Sequence, residues 1–363
     1  MVSQKPKLDY LFLFSVLALS SIGLIMVFSA SPTMALKHGD AFYYIKRHLF
    51  YLALGLLALF YSLRLDLDNL KNKATPLLIV SVLLLFSVFI PGVGRKVLGA
   101  SRWIDLGLLS FQPSEIIKFS MVLFMARWLS DKKGQVQDLL KGIVPPFLWL
   151  GLISILIIKQ PDMGTAIVLC STVFAMLFFA GANLRHLLFF GLLGVGGAVA
   201  LSLTATYRMR RLLAYLDPWQ DPQGIGFHII QSLLAVGSGG IFGLGLGASR
   251  QKFFYLPQQF TDFIFAILCE ELGFIGGVGV VVLFVLFAVR GFRIALSSSD
   301  SFKNFLAAGL VSWITLQALI NITVVLGLVP TTGIPLPFIS YGGTATIINL
   351  FAVGVILNVS RKP

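Results

Sequence analysis

The chain has 363 residues, of which 57% are hydrophobic and only 12% are charged, and its formal net charge is +13. Soluble domains carry about 25% charged residues, so this composition, with a mean hydropathy of +0.90, excludes a soluble globular core. Most basic residues flank apolar segments, where phospholipid headgroups account for them better than nucleic acid does. The composition predicts an integral membrane protein.

Apolar segments recur along the whole chain, each close to the roughly 20 residues that a helix needs to cross a bilayer. They predict an all-α, polytopic membrane protein with about ten transmembrane helices in a single domain, residues 1–363. The first segment exceeds a signal-peptide core and is expected to remain in the protein. The predicted spans are residues 10–30, 48–64, 74–91, 113–130, 142–158, 163–180, 184–206, 263–289, 304–329 and 337–358.

The distribution of Lys and Arg predicts the orientation. An even number of spans places both termini on one side, which carries fifteen basic residues against twelve opposite, with Lys118 inside a span completing the 28. The positive-inside rule therefore predicts a plasma-membrane protein with both termini in the cytoplasm. The margin is small because the outer face is itself basic, so we expect anions to collect there.

Residues 207–261 are predicted as one long outer loop that carries much of this charge. A glycine run at residues 237–247, which includes Gly239, has two open interpretations: a phosphate cradle made of backbone N–H groups, or a tightly packed hairpin. A dinucleotide fingerprint and a Walker loop are excluded, because no βαβ unit surrounds the run and no Lys-Ser/Thr ends it. The basic residues of the loop are Arg208, Arg210, Arg211, Arg250 and Lys252.

Asp262 stands where this polar loop meets a membrane-length apolar segment. A carboxylate at that point lies at the water interface, where it can stay ionised and reach a lipid headgroup. At helical spacing, small residues lie below it and predict an open groove, from which Glu270 and Glu271 point away. The alternative is that Asp262 has no catalytic role and only stabilises the N-terminus of the helix through the helix macrodipole. The groove residues are Ala266, Cys269, Gly273 and Gly276.

Charged residues also occur near and within the fourth apolar segment. Glu115 and Lys118 are three residues apart and share one helix face. Such charges are normally paired or line a wet cavity, and the cavity is the favoured interpretation. The alternative is a capping acid with a lysine that extends to the interface. Arg102, beside Trp103, is expected at headgroup depth, where it can meet an anion.

Three prolines exclude a continuous helix between residues 330 and 337. Such backbone is tolerated near a membrane only where it packs on protein or lines a water-filled cavity. Ser340 and Tyr341, which follow it, are therefore expected to face the cavity. A turn with close helix packing on Gly342 and Gly343 is the alternative.

The four histidines show no metal-ligand spacing, and the two cysteines lie in separate apolar segments, so neither a metal cluster nor a disulfide framework is predicted. Metal dependence stays open, because Mg²⁺ or Mn²⁺ held by carboxylates near the outer face could stabilise a pyrophosphate. No other cofactor is predicted.

A single interfacial carboxylate beside a basic surface suits transfer from a lipid pyrophosphate. The pyrophosphate leaves without a proton from an acid and needs only cationic stabilisation. The acceptor hydroxyl still needs a general base, and Asp262 can supply it within hydrogen-bond reach.

Six motifs in order along the chain resemble the SEDS family (shape, elongation, division, sporulation), and the likeness covers nearly the whole sequence. Within it, residues 207–211, 217–219 and 249–256 are more similar to the cell-division branch than to the elongation branch. Division members usually read Pro-Glu-Ala-His-Thr-Asp where this chain has residues 257–262, so Asp262 is the only carboxylate there. The motifs are Gly99 to Ile104, Gln112 to Glu115, Gln160 to Thr165, Tyr207 to Arg211, Thr261 to Phe265 and Ile339 to Gly343.

The resemblance implies a peptidoglycan glycosyltransferase of the bacterial plasma membrane that polymerises lipid II on the outer face and releases undecaprenyl pyrophosphate. Its implied partners are a class B penicillin-binding protein transpeptidase, other divisome proteins and membrane lipid, and the family's catalytic aspartate falls on Asp262. A lipid II flippase, a non-catalytic scaffold and an elongation-type polymerase are the alternatives. The candidate substrate contacts are Arg102, Glu115, Lys118, Arg208, Arg210, Arg211, Gly239, Lys252, Thr261, Ser340 and Tyr341.

Overall fold

A computed structural model describes residues 8–97, 100–105, 110–204, 206–252 and 259–361, and within them the chain is almost entirely helical. The helices are α1 (Tyr10–Ala30), α2 (Pro32–Ala35), α3 (Tyr43–Ser62), α4 (Leu67–Asn72), α5 (Ala74–Ser87), α6 (Pro113–Asp131), α7 (Val144–Lys159), α8 (Met163–Phe179), α9 (Leu184–Thr204), α10 (Thr206–Leu216), α11 (Phe227–Ser238), α12 (Ile264–Ser297), α13 (Ser301–Val325) and α14 (Gly343–Arg361).

Every predicted span contains one of these helices, which confirms the all-α membrane architecture. Within the residues that the structure describes, six segments are long and apolar enough to cross a membrane by themselves, and the other predicted spans hold shorter or more polar helices. The six are residues Tyr10–Ala30, Leu139–Lys159, Leu184–Leu203, Ile264–Ser297, Ser301–Val325 and Gly343–Arg361. The second of them joins the π-helical turn Leu139–Ile143 to α7.

A small antiparallel sheet lies between α5 and α6, in a region for which no span was predicted. Its strands are β1 (Gly94–Val97), β2 (Ala100–Asp105) and β3 (Ser110–Phe111), in the order β1-β2-β3. Ile104 of β2 pairs with Phe111 of β3, two residues before the proline that begins α6. The sheet therefore fixes β2, which carries Arg102, beside the start of α6.

The core lies where α13 packs against α6, α8 and α12, because α13 presents apolar side chains on most of its surface to these neighbours. Trp313 of α13 is fully buried there. On the outside of this core, α1 packs on α12 through stacked rings of Phe12 and Phe287, whose centroids are 4.8 Å apart.

Both termini of the described chain lie at the end of the bundle opposite Asp262. At that opposite end, Arg290 near the end of α12 binds the Asp9 carboxylate at the start of α1, at 2.6 Å. Asn358 near the end of α14 donates to the carbonyl of Ser62, where α3 ends. This placement agrees with an even number of crossings, whereas the cytoplasmic location of this end stays a prediction.

The segment predicted as a long loop is largely helical in its described part. It contains α10, a 3-10 turn at Pro218–Gln220 and α11. α10 has its arginines on one side and leucines on the other, and it begins two residues after the end of α9. Residues 206–216 thus form an amphipathic helix where an irregular loop was predicted, a type of helix that suits a membrane interface.

The groove predicted below Asp262 assumed regular helical spacing from residue 262 to residue 276, but α12 is broken at Gly273. This glycine has φ 68° and ψ −167°, a conformation that is essentially restricted to glycine. The break frees backbone groups of α12, and the glycine run at residues 237–247 satisfies them. The hydrogen bonds run from Leu244 N to Glu270 O (3.0 Å), Gly245 N to Glu271 O (3.0 Å), Phe274 N to Gly240 O (2.8 Å) and Ile275 N to Ile241 O (3.2 Å).

The glycine run is therefore a packing element, as the hairpin interpretation predicted. A Cβ at Gly239 would lie 2.0 Å from the carbonyl oxygen of Cys269, so this glycine allows the two backbones to touch. The N–H groups of residues 243–245 donate within the protein and cannot cradle phosphate. The expected open groove is likewise absent, because Ala266 and Cys269 are buried.

Replacing Gly273 by Ala should destabilise the protein by at least about 2 kcal/mol, because the side chain strains this backbone and a Cβ would lie 2.3 Å from the Gly243 nitrogen. Thermal unfolding in detergent measures the loss. Gly279→Ala in the same helix is the matched control. It has open space around its Cβ and should stabilise α12 slightly. Equal effects of both variants would contradict the role of the break.

Candidate active site

Asp262 lies in a turn directly before α12, and the backbone around it is held by three hydrogen bonds to the end of α13 and the segment that follows. Its carboxylate is half-buried, so it is neither sealed between helices nor fully open to water. The bonds run from Tyr341 N to Phe260 O (2.9 Å), from Ser340 Oγ to Thr261 O (2.6 Å) and from Asn321 Nδ2 to Asp262 O (2.8 Å).

The proline-rich segment, residues 330–337, leads to Ser340 and Tyr341 and is itself fixed by polar side chains of α13. Asn321 also donates to the Ile334 carbonyl at 2.8 Å, and Gln317 donates to the Pro335 carbonyl at 2.9 Å. Because Pro330, Pro335 and Pro337 prevent a helix here, the backbone needs such external partners. α13 thus positions the segment, and the segment positions Asp262.

The electrostatic surroundings of Asp262 suit a carboxylate that exchanges a proton near neutral pH. Burial raises the pKa of Asp262 to about 6, while the charges of Arg102 and Arg211 lower it and that of Asp162 raises it further. A Cβ on Gly333 would lie 3.5 Å from Oδ2 of Asp262, so the glycine keeps this side of the carboxylate open. The site combines one carboxylate of raised pKa with two nearby guanidinium groups.

Arg102 reaches this site from β2 and also fixes the start of α8. Its Nε donates to the carbonyl of Gln160 at 2.9 Å, and a terminal nitrogen donates to the carbonyl of Pro161. Asp162, the next residue, is buried and caps α8 through Thr165. The sequence had suggested a guanidinium at headgroup depth that is free to meet an anion. In the structure the guanidinium of Arg102 is instead anchored at the site by backbone carbonyls.

The three arginines of α10 have different positions. Arg211 donates to the carbonyl of Thr331 at 3.2 Å, within the turn that borders Asp262. Arg208 donates to the carbonyls of Leu201 and Ile158, near the ends of α9 and α7. Arg210 is exposed. The structure thus brings Arg211 to the Asp262 site and gives Arg208 a role in joining helices.

Glu115 and Lys118 form a buried ion pair instead of lining an open cavity. The two charged groups are 2.9 Å apart and each residue is 2% exposed, so the extended-lysine alternative is also wrong. Lys118 donates to Gln317 Oε1 at 2.8 Å and lies over the ring of Trp313. Through Gln317 the pair supports the proline-rich segment, which makes it a positioning element for Asp262.

Lys252 was expected to face an anion, but it is buried and its ammonium group turns into the protein. It lies 3.4 Å from Glu271 Oε1 and also donates to the carbonyl of Gly247. Ser29 of α1 donates to the same glutamate at 2.7 Å, and Ser249 donates to Glu270. The two glutamates therefore fasten residues 247–252 to the break in α12.

Ser340 and Tyr341 do not face a cavity as expected. Ser340 is buried, and its hydroxyl accepts from Leu336 N and donates to Thr261 O. Tyr341 is half-buried, with its ring edge-on to the rings of Tyr44 and Phe260, at centroid distances of 5.4 and 5.6 Å. Both residues, together with Thr261, shape the turn that carries Asp262.

The chain can be placed in a known family. Residues 9–363 match a family profile for FtsW, RodA and SpoVE, described as a cell cycle protein. The chain belongs to this family, the SEDS family. It is 48% identical over 362 residues to Stage V sporulation protein E of Bacillus subtilis (strain 168), with 99% of both chains covered. It is 43% identical over 355 residues to a probable peptidoglycan glycosyltransferase FtsW of Geobacter sp. (strain M18), with 98% of this chain and 97% of the relative covered.

Solved SEDS structures share the fold. A chain of a peptidoglycan synthase complex, described as coordinating polymerization and crosslinking, superposes with a TM-score of 0.81 at 33% identity, and 98% of each chain is covered. RodA of Thermus thermophilus superposes with a TM-score of 0.73 at 31% identity, covering 98% of this chain and 97% of RodA.

Two site residues of this SEDS chain were missed as individual candidates. Asp162 belongs to the motif Gln160 to Thr165 but was not predicted as a site residue. It shows the same signal as Asp262, an acid directly before an apolar helix. Asn321 had a signal too, since an amide is unusual inside so apolar a segment.

Over the described part of the chain, no three His, Cys, Asp or Glu side chains group as a metal site, so the divalent cation stays a prediction.

Asp262→Asn should stabilise the folded protein at pH 8 by about 1–3 kcal/mol, because it removes a carboxylate whose burial is unfavourable when ionised. The pKa of about 6 in the folded protein exceeds the ordinary aspartate pKa of 3.8, so wild-type stability is lost as pH rises between these values. Thermal unfolding at pH 4 and pH 8 measures the difference, which should vanish at pH 4.

Asp40→Asn is the control, because a hydrogen bond from Lys46 lowers the pKa of this loop aspartate instead. It should not stabilise the protein at pH 8. Stabilisation by both substitutions would show that the effect is not specific to the environment of Asp262.

Proposed function

We propose that this chain is a peptidoglycan glycosyltransferase that polymerises lipid II into glycan strands on the outer face of the bacterial plasma membrane. The observation that carries the proposal is the half-buried Asp262 carboxylate, of raised pKa, held on a fixed turn beside two arginines. Its membership of the SEDS family and its likeness to proteins named as probable peptidoglycan glycosyltransferases support the same activity.

In this reaction Asp262 accepts the proton of the acceptor sugar hydroxyl as that oxygen attacks the anomeric carbon of the donor. The bond from that carbon to the pyrophosphate oxygen breaks, and undecaprenyl pyrophosphate leaves with both bonding electrons. A base with pKa of about 6 is ionised at neutral pH yet basic enough to share the proton in the transition state. Attack from the face opposite the leaving group inverts the anomeric configuration.

Arg102 and Arg211 are proposed to stabilise the departing pyrophosphate. Both guanidinium groups act on Asp262 through their charge, and both are anchored by backbone carbonyls. Fixed cations of this kind need no rearrangement as negative charge develops on the leaving group. A divalent cation, if the reaction requires one, is proposed to arrive with the pyrophosphate, and activity with and without a chelator tests this.

The cellular role is proposed to be wall synthesis at division, with both termini in the cytoplasm. Similarity to several proteins named FtsW favours division, and 48% identity to a stage V sporulation protein favours a second role in sporulation. The similar chain from a synthase complex supports a partner that crosslinks, and we propose a class B penicillin-binding protein. Other divisome proteins are further expected partners.

Purified protein supplied with labelled lipid II should form glycan strands, and Asp262→Ala should reduce the rate by about 10²–10⁴-fold, the usual contribution of a general base. Gel separation of the labelled products measures both. Wild-type activity should rise with pH and reach half its plateau near pH 6, because the base must be ionised. Asp40→Asn serves as the control and should retain full activity.

Translocation of the lipid II headgroup across vesicle membranes, assayed in parallel, separates the enzyme from a flippase. Polymerisation that survives Asp262→Ala would overturn the assignment of the base. Headgroup translocation that survives it, without any polymerisation by the wild type, would overturn the proposed function itself.

Ser340→Ala should lower kcat about tenfold with little change in KM, because the Thr261 carbonyl loses its donor and Asp262 moves away from its working position. Steady-state kinetics with lipid II separates the two constants. Ser312→Ala is the matched control, since this serine is equally buried but donates only within α13, to the carbonyl of Ala308. A similar loss in both variants would indicate general destabilisation.

A further inference from the structure

A second candidate binding site lies far from Asp262, at the end of the bundle that holds the termini. A cavity of about 340 Å³ opens there between the start of α5, the end of α6 and α7. Its walls combine charged with aromatic side chains, a combination that the reaction at Asp262 does not use. The main lining residues are Arg127, Asp131 and Lys132, which are charged, and Phe124, Trp128 and Trp149, which are aromatic.

Trp128 lies among the charged residues of the cavity, and the other two aromatic side chains lie deeper. Arg127 and Asp131 lie in the last two turns of α6 and Lys132 follows the helix, a position at which a spanning helix is expected to reach the membrane surface. Along α6, Phe124 lies about 4.5 Å deeper than Arg127 and about 10 Å deeper than Asp131, and Trp149 lies about 7 Å inside α7. The cavity thus passes from polar to apolar over the distance that separates a lipid headgroup from the start of its acyl chains.

The charged rim is positive on balance. Asp131 is bound by Lys71 at 2.7 Å and approached by Arg127 at 3.5 Å. Lys71 adjoins the cavity without lining it, and counting it with Arg127 and Lys132 against Asp131 gives three cations and one carboxylate, a net charge of +2. Lys132 is half-buried, with its ammonium group 5.8 Å from the centre of the Trp128 ring. Such a rim favours a monoanionic or dianionic group over a zwitterion.

The two helices that flank the cavity also carry exposed apolar residues. Ile79 and Val80 of α5 and Leu148 and Leu152 of α7 are exposed large hydrophobic residues on the two flanking helices. In a membrane these surfaces face acyl chains, so a molecule with its headgroup at the rim can lay its tails along them. A small soluble anion would bind the charged rim but would make no contact with the aromatic wall.

From this arrangement we propose that the cavity is a binding site for one anionic phospholipid, with its phosphodiester headgroup between Arg127 and Lys132. The glycerol region lies against Trp128 and Trp149, because indole rings favour this depth. This site needs neither the proposed reaction nor its substrate, and its test does not depend on activity.

Native mass spectrometry of the full-length protein, released from micelles supplemented with equal amounts of phosphatidylglycerol and phosphatidylethanolamine, tests the proposal. The wild type should retain one phosphatidylglycerol preferentially. Lys132→Gln should weaken this retention about fivefold, the effect expected from one basic residue near anionic lipid. Thr75→Phe, which fills the cavity without changing charge, should weaken it as well.

The matched control is the double variant Arg185→Gln/Arg361→Gln, which removes exposed charges from the same end of the bundle, outside the cavity. It should retain the lipid as the wild type does. Equal loss in this control would assign the effect to surface charge in general and overturn the site, as would equal retention of the two lipids.

Thermal unfolding provides a second readout that distinguishes the lipid from free phosphate. Phosphatidylglycerol should raise the Tm of the wild type and the control more than that of Lys132→Gln or Thr75→Phe, whereas inorganic phosphate should leave all of them unchanged. If phosphate raised the wild-type Tm as much as the lipid does, the acyl chains would be irrelevant and the assignment to a phospholipid would be wrong.

Discussion

The interaction on which the site depends is the attachment of three consecutive peptide carbonyls, those of residues 260–262, to donors from α13 and the segment after it. Residues 260–262 precede α12, which begins at Ile264, so they form no part of its hydrogen-bonded backbone. Without other donors, their carbonyls would be exposed and the turn would be mobile. Here each carbonyl has its own donor, so the direction of the Asp262 side chain is set by the core of the bundle. The buried pair of Glu115 and Lys118 supports the same core from α6 through Gln317.

Charges inside this bundle serve mainly to hold backbone in place. Lys252 with Glu271 fastens the segment before the site to the break in α12, and Arg102 fastens the start of α8. Removing one partner of such a buried pair leaves an uncompensated charge, which costs far more than an exposed pair would. The basic residues that remain at the surface, including Arg210, follow the ordinary preference of cations for the interface.

The sequence predicted the helical architecture and Asp262 well, because hydropathy over 20 residues and an acid at the start of an apolar segment are local signals. The break at Gly273 could not be predicted in this way, since the groups that satisfy it lie about 30 residues earlier in the chain. Lys252 was assigned to the surface for the same reason, because its partners Glu271 and Gly247 are brought to it only by folding. Asp162 was missed although its local signal was present.

The side-chain amide of Asn321 joins two segments that differ widely in sequence position. Its nitrogen carries two hydrogens, and both are engaged, one by the carbonyl of Asp262 and the other by that of Ile334, each at 2.8 Å. An aspartate of the same shape offers only acceptors toward two acceptors, and a leucine of similar volume offers neither kind of group. The need for two N–H donors therefore restricts the residue type at position 321 more tightly than side-chain volume does, even though the surrounding interior is apolar.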